Sequence, residues 1–198
     1  MTNVYFVRHA EPDYRVHDDL TRPLTEKGLR DCALVTEYFR DKEISAVVSS
    51  PYARARDTVS GAAKAKGLEV TCIGAFVERR ITDGWIGDFS AYAKRQWEDF
   101  DYKLPGGESL NEVQTRNIRA LNQLLDYHSG GTVVIGSHGT ALSTVINYYD
   151  SSFSYASFLQ IVDLMPFIVL FAFDGKRLAA IKPVNLFEDS KKQRIGAF

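Results

Sequence analysis

Short apolar runs alternate with helix-length amphipathic segments along most of this chain, and that alternation constrains the fold more than any other feature. Residues 4–7 are a β-branched and aromatic run with the character of a buried strand. In residues 25–40, Leu29, Cys32, Ala33, Val35, Thr36 and Phe39 share one face of a helix, with Thr25 as its N-cap. Residues 44–48 read as a second strand. Pro51, tolerated in a first helical turn, opens a helix through Lys66 that Gly67 ends. Residues 69–73 are a third strand. A periodic helix over 111–127 follows, through Val113, Ile118, Leu121 and Leu125, then a fourth strand at 132–135 and a helix at 139–149. Such a pattern predicts an α/β fold: a three-layer sandwich with a mostly parallel central sheet and helices on both faces. A length of 198 residues suits one domain over 1–198.

Two stretches break the rhythm. Residues 79–109 hold Phe89, Tyr92, Trp97, Phe100 and Tyr102, with Trp85, among many charges, and read as a cap-like connection over a site. Towards the C-terminus, residues 158–162 and 167–173 read as strands, Asp174-Gly175 as a hairpin turn and 178–181 as the returning strand. Residues after Pro183 are polar and read as loose. The two tryptophans are read as packing residues, and Cys32 and Cys72 as inert.

Bulk chemistry excludes several classes of partner. A formal net charge of -1 gives no global field for nucleic acid or an acidic membrane. The longest apolar run, residues 167–173, is too short to span a bilayer. Two cysteines outside any CxxC pair make no disulfide framework. With no basic leader ahead of an apolar stretch, the expectation is a cytoplasmic protein. It is a monomer or a homodimer, since the C-terminal hairpin can cover a sheet edge or pair across a dimer.

Ligands of open α/β sheets bind at the carboxyl ends of the strands. Arg8 and His9 follow the first strand. Ser49, Ser50 and Pro51 follow the second, with Arg54 in the next turn. Glu78 comes shortly after the third, and Ser137, His138 and Gly139 follow the fourth. Two arginines, two histidines and a glutamate on one rim make a site for phosphate. Arginine offers a planar fork of donors to phosphate oxygens, and helix N-termini near Pro51 and Gly139 add backbone N–H groups. A neutral imidazole can attack phosphorus, flanking cations stabilise the equatorial oxygens, and a carboxylic acid can protonate the leaving oxygen.

Val7-Arg8-His9-Ala10-Glu11-Pro12 resembles the signature of the histidine phosphatase superfamily, also called the phosphoglycerate mutase-like family. Residues 49–58, Ser-Ser-Pro-Tyr-Ala-Arg-Ala-Arg-Asp-Thr, resemble its second motif, with Arg54 and Thr58 in place. Gly136-Ser137-His138-Gly139-Thr140 is similar to its third. Weaker echoes lie at Pro23-Leu24-Thr25-Glu26-Lys27-Gly28, at Trp85-Ile86-Gly87-Asp88 and at Pro105-Gly106-Gly107-Glu108-Ser109.

The resemblance implies a phosphatase (a phosphoric monoester hydrolase) acting on a small phosphorylated substrate, with no cofactor and no metal ligand. His9 is then the nucleophile that becomes a phosphohistidine. Arg8, Arg54 and His138 hold the phosphoryl oxygens, with His138 part of the catalytic set, and Glu78 is the acid and later the base. Asp83 and Asp88 rival Glu78 for that role. Ala10 stands where the family commonly has glycine. The mutase branch continues Glu-Ser-x-Trp-Asn, whereas this chain reads Glu11-Pro12-Asp13-Tyr14-Arg15. Tyr14, Arg15 and His17 are thereby left as substrate-side residues on a different loop. A cofactor-dependent phosphoglycerate mutase and a non-catalytic phosphate-binding domain are the alternatives. The aromatic content of 79–109 points to a partly apolar leaving group.

Overall fold

The structure, a computed structural model, describes residues 1–83 and 86–187. Trp85 therefore lies outside the described residues. Among the described residues, six strands form one sheet in the order β3-β2-β4-β1-β5-β6. β1 (Thr2–Arg8), β2 (Ala46–Ser49), β3 (Val70–Cys72) and β4 (Thr132–Ser137) run parallel. β5 (Phe167–Asp174) and β6 (Arg177–Val184) form an antiparallel hairpin laid against β1.

Side chains alternate across the sheet, as strand geometry requires. Tyr5 and Val7 of β1 pack with Val35 and Phe39 of α1 (Glu26–Tyr38) and Val59, Ala62 and Ala63 of α2 (Ala53–Ala65). Val4 and Phe6 face the other way. They meet Leu121 and Leu124 of α4 (Leu110–Tyr127) and Leu142 and Val145 of α5 (Gly139–Tyr149). Two cores therefore flank one sheet, giving the expected three layers. Thr25 caps α1 as expected, its side chain accepting from Gly28 N–H at 3.0 Å. Ser109 and Glu112 close a capping box on α4.

Three expectations need correction. Residues 158–162 are not a strand; they fall in and just after α6 (Tyr155–Ile161). β5 already has β1 and β6 as its neighbours, so the segment leading into it does not pair beside it. Instead Phe158 turns inward and stacks on Trp97 at 5.9 Å, while Leu159 is exposed. Secondly, the 79–109 connection carries a helix of its own, α3 (Phe89–Glu98). Trp97, half-buried, packs there against Phe100, Phe153 and Phe158, as a packing residue. Lastly, β6 extends through Pro183, which an edge strand tolerates because it faces no further ladder. The chain then stays attached, since Leu186 is buried in the α1–α2 core. The expectation of a loose tail lies, from residue 188, outside the described residues.

No helix among the described residues is long and apolar enough to cross a membrane. Burial pushes the Cys32 thiol up to about 11, in keeping with an inert role, and Cys72 is exposed.

Candidate active site

The register of the sheet assembles the site. Arg8 pairs with Ser137, and Ser49 with Gly136, so β1, β2 and β4 end at one level. His9, Ser50 and His138 each begin the loop beyond a strand. The imidazoles of His9 and His138 lie edge to face, with ring centroids 5.3 Å apart. Both are buried, as are Arg8 and Arg54.

Each ring is oriented by a partner. His9 Nδ1 lies 2.7 Å from the carbonyl oxygen of Ala10. A carbonyl can only accept, so Nδ1 carries the ring proton and Nε2 keeps its lone pair. Ala10 is held in turn, its N–H donating to Thr58 Oγ1 at 2.9 Å. The Ser50 hydroxyl, whose oxygen accepts from Tyr52 N–H, lies 2.8 Å from His138 Nε2 and can donate to it, leaving Nδ1 to carry the ring proton. Burial, then the positive charges of Arg54 and Arg8, hold the His9 ring well below the usual imidazole range, against the opposing Ala10 bond. Burial, then Arg54 and His9, do the same to His138. Both rings are therefore neutral near pH 7.

The two arginines are anchored from opposite sides. Arg8 Nη1 donates to the carbonyls of Ile161, Val162 and Leu164, where α6 ends. Its guanidinium lies over Gly139, where any Cβ would stand 3.2 Å from Cζ. Arg54 donates to the carbonyl and carboxylate of Asp19 at 2.7 and 3.1 Å. Arg8 Nε, Ser137 Oγ and His138 Nδ1 are buried at this rim without a hydrogen-bond partner. Unpaired buried polar atoms are uncommon in folded proteins, and a cluster of them marks a place for a polar ligand.

Glu78 arrives from the segment after β3. Its carboxylate accepts from the N–H groups of Thr140 at 2.9 Å and Ala141 at 3.1 Å, in the first turn of α5, and from Arg79 N–H. It therefore stands one turn from His138. Its rivals are placed elsewhere: Asp88 caps α3 through Ala91 N–H, and Asp83 is exposed beside Arg80. All five site residues named from the sequence thus gather at one rim. Tyr14, Arg15 and His17 are exposed on the loop after β1, where Arg15 pairs with Asp13.

Sequence reasoning missed Asp19 and Arg22. Asp19 accepts from both Arg54 and Arg22, and Arg22 also donates to the Val16 and His17 carbonyls. Its charge is felt at His9. The loop from residue 13 to 22 is thereby tied down beside the site. The one sequence signal was their position just ahead of the Pro23-Leu24-Thr25 echo. No group of three His, Cys, Asp or Glu side chains among the described residues could hold a metal ion.

The fold recurs in solved proteins. Phosphoserine phosphatase from Entamoeba histolytica, in complex with 3-phosphoglyceric acid, superposes with a TM-score of 0.74 at 21% identity, over 94% of this chain and 99% of that one. The Bacillus stearothermophilus protein YhfR gives 0.73 at 23% identity, over 91% and 95%. In sequence, the protein named "Probable phosphoglycerate mutase GpmB" from Salmonella choleraesuis (strain SC-B67) is 29% identical over 159 residues, 74% of each chain. The family model of the histidine phosphatase superfamily (branch 1) matches residues 4–162, spanning every strand-end motif that builds this rim, and the chain belongs to that superfamily.

Proposed function

We propose that the protein is a phosphomonoester hydrolase that works through a phosphohistidine on His9 without a metal ion. The observation that carries this reading is the 2.7 Å contact of His9 Nδ1 with the Ala10 carbonyl, which sets the ring's tautomer. With Nδ1–H held by Ala10, the Nε2 lone pair is the ring's free nucleophile, and it lies among Arg8, Arg54 and His138. In the first step Nε2 bonds to phosphorus as the bond to the ester oxygen breaks. The departing oxygen keeps the electron pair and takes a proton from the Glu78 carboxyl. In the second step Glu78 draws a proton from water, whose oxygen attacks phosphorus and releases Nε2. Arg8, Arg54 and the Nδ1 side of His138 hold the phosphoryl oxygens, and their fixed positions stabilise the charge spread over them in the transition state. The substrate is a small phosphorylated molecule, a reading supported by the phosphoserine phosphatase neighbour in complex with 3-phosphoglyceric acid. The chain is read as one domain over 1–198, with the 79–109 cap as part of it.

A mutase is the second reading, favoured by the name of the Salmonella relative. It shares the first step and returns the phosphoryl group to an acceptor other than water.

Hydrolysis of p-nitrophenyl phosphate in excess EDTA tests both. Turnover that survives EDTA and vanishes in His9→Ala is the expected result. Turnover unchanged in His9→Ala overturns the central role of His9. No hydrolysis by the wild type, together with isomerisation of 3-phosphoglycerate in the presence of 2,3-bisphosphoglycerate, establishes the mutase instead.

A further inference from the structure

Arg116, in the middle of α4, has no place in the mechanism above, yet every N–H it owns points at the segment that carries Glu78 or at the residue bracing that segment. Nη1 donates to the carbonyls of Ala75 at 2.7 Å and Val77 at 2.8 Å. Nη2 donates to the Glu78 carbonyl at 3.3 Å and to Glu108 Oε2 at 3.0 Å. Nε donates to Glu108 Oε1 at 2.8 Å. A guanidinium has five N–H donors, so this one is saturated.

Glu108 completes the arrangement on the other side of Glu78. Its Oε2 accepts from Arg80 N–H at 3.0 Å, and its own N–H donates to the Arg80 carbonyl at 2.7 Å. The backbone is thus pinned at residues 75, 77 and 78 by Arg116, and at residue 80 by Glu108. The approach is so close that a Cβ on Gly107 would lie 2.0 Å from the Ile81 carbonyl oxygen. Burial would raise the Glu108 carboxyl, but its bonds to Arg116 and Arg80 outweigh that and hold it below the usual glutamate range. It stays ionised and keeps both contacts at neutral pH.

We propose that Arg116 and Glu108 are positioning residues that set the Glu78 carboxyl for proton transfer to the leaving oxygen. This rests on the reading of Glu78 as the general acid. A cross-link that merely tied α4 to the sheet would need one or two of these bonds. Here they converge on four backbone positions, 75, 77, 78 and 80, in the segment whose Glu78 carboxylate caps α5 beside His138. An acid must lie within hydrogen-bond reach of the oxygen it protonates, and a displacement near 1 Å can cost about a hundredfold.

The chemistry supplies a readout that a stability role would not move. p-Nitrophenolate is a weak base and departs with little help, whereas phenolate is a stronger base and gains more from a proton. The test measures kcat/KM on p-nitrophenyl and phenyl phosphate for the wild type, Glu78→Gln, Arg116→Gln, Arg116→Lys, Glu108→Gln and the Glu78→Gln/Arg116→Gln double variant. Glu78→Gln and Arg116→Gln should each lose about tenfold more on the phenyl ester than on the nitrophenyl ester. Arg116→Lys should fall between Arg116→Gln and the wild type, and the double variant should discriminate no more than Glu78→Gln alone. If Arg116→Gln does not fold, Glu108→Gln carries the same expectation. Equal losses on both esters in the clamp variants, with Glu78→Gln still discriminating, overturn the clamp and leave the acid intact. Equal losses in Glu78→Gln itself overturn the acid, and the clamp with it.

Discussion

His9 and His138 are two imidazoles kept neutral by burial and by arginines, and this has a consequence for pH. An imidazole in an unfolded chain takes its proton near pH 6.5. In the native protein both rings take theirs well below that. As pH falls below about 6.5 the unfolded state binds protons that the native state does not, so stability present above that value is lost on the way down to the native pKa values. Urea midpoints measured without phosphate should therefore be lower at about pH 5.5 than at about pH 7.5. A proton NMR titration of the two rings should show no midpoint near 6.5. A midpoint there for either ring would contradict the burial argument. The shared location of the candidate residues was legible in the chain. Arg8, His9, Arg54, Glu78 and His138 were named from their places after strands, and those places are where the fold gathers them. Asp19 and Arg22 were not named, because their roles depend on how a loop folds back onto Arg54.

Among the elements, α1 shows how local chemistry and close packing act together. Thr25 Oγ1 accepts from Gly28 N–H and lies 2.9 Å from Glu11 Oε1, tying the helix start to the loop that leaves the site. Gly28 sits against that same loop. A Cβ there would lie 2.3 Å from the Glu11 carbonyl oxygen, and a backbone atom cannot step aside cheaply. Gly28→Ala should cost about 1–3 kcal/mol despite the better helix propensity of alanine, as read from a urea midpoint. A neutral or stabilising effect would mean that the loop after His9 yields easily. The extent and cap of helix α1 were legible because both are local, but of its expected apolar face Val35 and Phe39 are buried while Leu29 and Ala33 are exposed. Helix α6 was not legible. Phe158-Leu159-Gln160-Ile161-Val162 has the composition of a strand, yet it forms a helix whose Phe158 stacks on the Trp97 ring, a contact from a distant segment.

For the molecule as a whole, β1 is the keystone. It lies between β4 and β5, faces both cores, and ends in Arg8 and His9. Phe6 has no exposed surface and meets Phe76 and Phe171 edge to face. Phe6→Ala should cost about 3–5 kcal/mol through lost burial and the cavity left behind, measured by chemical denaturation. A loss near 1 kcal/mol would show that α4 and the sheet can close around the gap. The sequence by itself determined the alternation of strands and helices, the two-sided sheet and the residues at its rim. Those follow from side-chain periodicity and from short motifs, which are read over a few neighbouring positions. Tertiary structure alone decided which carbonyls anchor Arg8, which carboxylate meets Arg54, and that Arg116 and Glu108 close around Glu78. Each of those joins groups from different elements, and a contact of that kind exists only once packing has brought the elements together.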